Sequence, residues 1–141
     1  MPRLSLAFFT AGALYGLGGM VWGAVMAAHE DFTLAPAHAH LNLLGWLALS
    51  VMGTFYALAG ARAPRRLGWI NFALSNIGVI VGIPALALML AGDRTKTPIV
   101  QAGMGVVMLG MLTFLAAVLS QWAPARRAGV EAVQGLRQPA E

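Results

Sequence analysis

Three histidines, His29, His38 and His40, are the residues of this chain best suited to chemistry, and all lie within twelve positions of one another. His38 and His40 belong to the segment PAHAHLNLLGW (Pro36 to Trp46), and His29 precedes the acidic pair Glu30 and Asp31. Neutral imidazole ligates heme iron axially, and mixed sets of imidazole and carboxylate hold copper, zinc or nickel. Each histidine alone also fits an interfacial residue of no chemical consequence. Residues two apart on a helix point about 200° from each other, so His38 and His40 cannot both chelate one ion once the helix has begun. Pro36 suits a first helical turn, so one of the two turns inward. His38 shares a stripe with Asn42, Gly45, Leu49, Gly53 and Tyr56 and is the inward candidate, with His40 close behind.

The elements that carry these residues are membrane spans. Of 141 residues, 59% are apolar and 10% charged. A soluble core of this size needs no such excess. Four apolar stretches, about residues 4–28, 37–60, 67–91 and 98–122, each reach the roughly 20 residues that a helix needs to cross hydrocarbon. Helix is the state that pairs its own backbone groups in lipid. The connections HEDFTLAP, ARAPRR and GDRTKT are short, which predicts an all-α, up-down four-helix membrane bundle as one domain over residues 1–122. The first span lacks a small-residue cleavage site and is expected to be retained. The tail, 123–141, is expected to begin as a short surface helix and fray.

Arg3, Arg62, Arg65, Arg66, Arg126, Arg127 and Arg137 fall on one side of this topology, and Arg94 and Lys96 on the other. The positive-inside tendency then places both termini in the cytoplasm and the histidines outside. Net charge is +4, but the basic residues sit beside spans, which argues against nucleic-acid binding. Without cysteine there are no disulfides, thiolate metal sites or iron–sulfur clusters. Ser50, Ser75 and Ser120 have no histidine and carboxylate companions at their depth, so no nucleophile is assigned. The GLGG run at residues 16–19 lies inside an apolar helix, where it packs and does not cradle phosphate. The first three spans hold no carboxylate, which argues against an ion pump.

Small residues mark close helix contacts. Gly12, Gly16, Gly19 and Gly23 stripe the first span, Asn71, Ser75, Gly78 and Gly82 the third, and Gly103, Val107, Gly110 and Phe114 the fourth. So many glycine faces predict a homo-oligomer, and Asn42, Asn71, Ser75, Asn76 and Gln101 are expected to face protein, water or a ligand. Pro84 is expected to free a carbonyl and bend the third span.

The segment HAHLNLLGWLALSVMGTFY (His38 to Tyr56) resembles the second transmembrane helix of heme-copper oxidase and nitric oxide reductase catalytic subunits. The chain as a whole, with SNIGVIVGIPALAL (Ser75 to Leu88), resembles small four-span proteins related to that superfamily. The resemblance implies a multi-pass protein of a bacterial inner (plasma) membrane. It also implies that His38 or His40 ligates heme b, with Asn42, Gly45 and Gly53 beside the cofactor, in an electron carrier or gas sensor. The chain departs from that family in having no later helices and no fourth histidine, so oxygen or nitric oxide reduction by this chain alone is not expected. A second heme ligand would come from His29, His40, Met20, Met26, Met52 or a second protomer. The alternative is an outer-face copper or zinc site made by His29, His38 and His40, in an accessory or assembly protein of a larger membrane complex.

Overall fold

The computed structural model describes residues 1–122; the tail, with the surface helix expected there, lies outside the described residues. Four helices, each long and apolar enough to cross a membrane, make up the chain: α1 (Arg3–His29), α2 (Ala35–Arg62), α3 (Arg65–Leu90) and α4 (Arg94–Leu119). Among the described residues no strand is present. Pro2 and Pro64 stand just ahead of α1 and α3, where a missing N–H costs nothing. Glu30, with φ of 52°, ends α1 in the left-handed conformation that closes its last turn. Pro84 sits inside α3, which continues through it.

The bundle is two helical hairpins. α1 packs on α2 and α3 on α4, and α3 also touches α1 and α2. Lipid is as apolar as leucine, so contact here depends on how closely backbones approach. A Cβ on Gly103 would stand 2.6 Å from the Gly82 Cα, and one on Gly110 would meet Ser75 Oγ at 2.7 Å. In the first hairpin, Gly12 and Gly16 receive Ser50 and Trp46 from α2, while Gly45 and Gly53 of α2 receive Tyr15 and Phe8 from α1. The glycine faces are thus largely filled within one protomer. That removes the packing argument for a homo-oligomer, because the backbones these glycines admit belong to the same chain. Gly18 and Gly105 face open space.

A buried aromatic cluster lies toward the basic end. Phe8 and Tyr56 are fully buried, stacked at 5.3 Å between ring centroids, and Phe72 meets Phe8 edge-on at 5.1 Å. Phe114 of α4 joins through Phe55 and Tyr56, with centroids 5.2 and 6.1 Å away. Beneath these rings lies a polar cluster. The amide of buried Asn71 donates to Tyr56 Oη at 3.2 Å and approaches Met52 Sδ at 3.5 Å, and Ser75 Oγ donates to Asn71 Oδ1 at 3.1 Å. Tyr15 Oη donates to Asn76 Oδ1 at 3.0 Å, tying α1 to α3. Gln101, in contrast, is exposed on α4.

Candidate functional site: the histidine end

The start of α2 changes its winding twice. Ala35–His40 is α-helical, Leu41–Leu47 is π-helical, and Ala48–Ala59 is α-helical again. A π segment accommodates an extra residue in a continuous helix and rotates the turns on its N-terminal side relative to those on its C-terminal side. Its residues include Asn42, Gly45 and Trp46, which all face α1.

His38 faces α1 and is half-buried. A Cβ on Gly23 would lie 3.0 Å from His38 Cε1, so the imidazole occupies the notch that this glycine leaves. Trp22 meets the ring edge-on at a centroid distance of 6.3 Å. The Asn42 amide donates to the His38 carbonyl at 2.9 Å and lies 3.4 Å from both ring nitrogens. Asn42 in turn fills the space beside Gly19. Down the hairpin, then, each glycine of the α1 stripe is matched to one α2 side chain: Gly23 to His38, Gly19 to Asn42, Gly16 to Trp46 and Gly12 to Ser50.

His40 and His29 are exposed. His40 Nδ1 lies 2.7 Å from the Pro36 carbonyl oxygen, and His29 Nδ1 lies 2.9 Å from that of Val25. A carbonyl only accepts, so each contact is a hydrogen bond only if Nδ1 carries the proton. In a neutral ring that arrangement leaves the lone pair on Nε2, the nitrogen then open to a metal. Nearby, Asp31 Oδ1 accepts from the Thr33 backbone N–H at 2.9 Å. Hydrogen bonds from Thr33, the side chain first and the backbone second, hold the Asp31 carboxyl below its ordinary range.

The structure separates the expected site residues into two sets. His38, Asn42, Gly45 and Gly53 belong to the α1–α2 contact, whereas His40 and His29 are free of it. Among the described residues no three His, Asp or Glu side chains come together as an ion-holding group, so His29, His38 and His40 do not form one cluster in a protomer. Between α1 and α2 the glycine notches are occupied by side chains of the same chain. Of the methionines considered as ligands, Met20 is exposed, Met26 is buried, and Met52 is buried against Asn71. A recess of about 450 Å³ opens beside this end, lined by Tyr15, Trp22, Leu41, Val79, Ile83 and Pro84 among others. Its lining is apolar and includes no histidine.

Sequence reasoning did not single out Pro36 O and Val25 O as imidazole partners. The signal was available, since each carbonyl is four residues before its histidine on a helix. Comparison of the chain with protein-family models, curated proteins and solved structures finds no match.

Proposed function

We propose that this chain is a small metal-binding membrane protein whose four-helix scaffold presents imidazoles at the boundary opposite its arginine-rich end. The single observation behind this reading is the pairing of His40 Nδ1 with Pro36 O, repeated by His29 with Val25 O, which engages Nδ1 of two exposed imidazoles and leaves Nε2 for a metal. The described residues of one protomer offer fewer than three grouped donors, so a second copy or a larger respiratory-type membrane complex completes the coordination. That makes the chain an accessory or metal-handling component for copper or zinc. The arginine bias orients the termini toward the cytoplasm and the histidines outward, in a bacterial inner membrane as the oxidase-like segment implies.

A second reading has the likeness of His38–Tyr56 to oxidase helix two in its favour: the metal is the iron of heme b, and the chain is an electron carrier or gas sensor. His40 suits axial ligation better than His38, which is engaged with Gly23 and Asn42. The heme would then lie outside the α1–α2 contact, against a partner. Bound there, it would supply one-electron chemistry, and this chain's part would be to orient the imidazole through the Pro36 carbonyl.

Metal analysis and an absorption spectrum of full-length protein, purified in mild detergent from metal- and heme-replete cells, test both. Copper or zinc without a Soret band supports the first reading; a Soret band supports the second. In either case His40→Ala lowers occupancy roughly 10-fold or more, and binding weakens below about pH 6 as protons compete for imidazole. Protein carrying neither metal nor heme overturns both.

A further inference from the structure

The opposite end of the molecule holds a second site of different chemistry. A cavity of about 460 Å³ opens where α1 begins, α2 ends and α3 begins, and Arg3, Leu4, Tyr56, Ala63, Arg65 and Trp69 are among its lining residues. We propose that this cavity binds the phosphate group of an anionic phospholipid.

Among the described residues its charge is uncompensated. Arg3 and Arg65 are exposed, and among the described residues neither pairs with a carboxylate; the ion pair found there joins Lys96 to Asp93. The carboxylates of the described residues, Glu30, Asp31 and Asp93, all belong to the opposite loops. Two arginines lining one cavity supply N–H donors suited to phosphate oxygens. The backbone adds to them. Arg3 and Arg65 are the first residues of α1 and α3, and Pro2 and Pro64 provide no side-chain cap. The first intrahelical donors to these caps are Leu6 and Gly68, so the N–H groups of Arg3, Leu4 and Arg65 have no helical acceptor. Two positive helix ends therefore border one cavity. The end of α2 opposes them weakly, because the Gly60 and Arg62 carbonyls already accept from Ala63 N–H and Gln121 Nε2.

The rest of the lining explains why the phosphate belongs to a lipid. Leu4 and Ala63 are largely buried in its lining, as is Tyr56, whose ring is fully covered. Trp69, partly exposed on the wall, is the residue type that settles at the level of headgroups. A cavity with a cationic mouth and an apolar floor, at the end of three spans, matches a ligand that is anionic at one end and apolar at the other. A free anion would use only half of it.

The test is native mass spectrometry of the full chain in zwitterionic detergent, titrated with phosphatidylglycerol, phosphatidylcholine or inorganic phosphate. One phosphatidylglycerol should be retained in preference to phosphatidylcholine, and millimolar inorganic phosphate should not displace it. The Arg3→Ala/Arg65→Ala pair should weaken retention roughly 30-fold, as expected for two cations near a phosphate, and Arg94→Ala/Lys96→Ala should leave it unchanged. Ala61→Trp keeps both arginines but fills the mouth of the cavity, and it should also abolish retention. Equal retention of the two lipids, undiminished retention in the arginine pair, binding that survives in Ala61→Trp, or displacement by inorganic phosphate would overturn the proposal. Thermal melts of each variant separate loss of the site from loss of the fold.

Discussion

At the scale of single residues, the buried polar groups of the described residues divide into those with partners and one without. Asn71 joins Tyr56, Ser75 and Met52, and all four are buried. Replacing it with Leu leaves the Tyr56 and Ser75 hydroxyls short of a partner in apolar surroundings, and should cost about 1–2 kcal/mol. Denaturant unfolding in bicelles measures this. Ser5 Oγ is buried with no partner, so Ser5→Ala should be neutral or slightly stabilising in the same assay. In the first loop, the depressed Asp31 value makes the contribution of the Thr33 contacts complete above the ordinary value of 3.8 and lost only as pH falls through the lower, folded value. An NMR titration should therefore show the Asp31–Thr33 turn persisting below the normal carboxylate midpoint, and Thr33→Ala should move that midpoint upward. The histidines were legible in the sequence as residues, and His38 lies on the stripe read for it. The hydrogen bonds that distinguish His40 from His38 were not, because they depend on rotamers.

Elements were more legible than their partners. Four apolar runs of span length leave helix as the state that pairs its own backbone, so the four helices follow from hydropathy alone. Glycine spacing marked the contact faces, yet it could not say that the α1 stripe meets α2 and the α3 stripe meets α4. Those pairings predict two classes of glycine. Gly103→Ala places a methyl against backbone that cannot yield and should lower stability by about 1–3 kcal/mol. Gly18→Ala and Gly105→Ala enter open space and should be tolerated. Side-by-side melting of the three variants checks this. The π segment Leu41–Leu47 had no legible signal, since its composition is that of any span. Deleting exposed Leu43 should let α winding continue and turn His38 away from Gly23, which loss of the Trp22–His38 ring-current shift would report.

For the whole molecule, orientation is the property on which the functional readings converge. Absence of cysteine allows each loop to be probed singly. A cysteine at Thr33 or Thr95 should react with an impermeant maleimide added to intact cells, and one at Ala61 only after lysis. The reverse pattern would place the imidazoles in the cytoplasm. The phosphate-binding cavity was illegible because its residues come from three helices. Its trace in the sequence is the dipeptide Pro-Arg, which occurs at Pro2–Arg3 and again at Pro64–Arg65.

The hairpin construction also bears on how the chain is made. Each glycine-lined pair is closed by contacts between helices adjacent in sequence, so each half can complete its own interior soon after insertion. The backbone between Arg62 and Pro64 is then a tether more than a determinant of assembly. Severed there and co-expressed as separate polypeptides, the two pieces should find one another in the bilayer and co-purify. Their reunion would rest on Tyr15 meeting Asn76 and on the rings around Phe8.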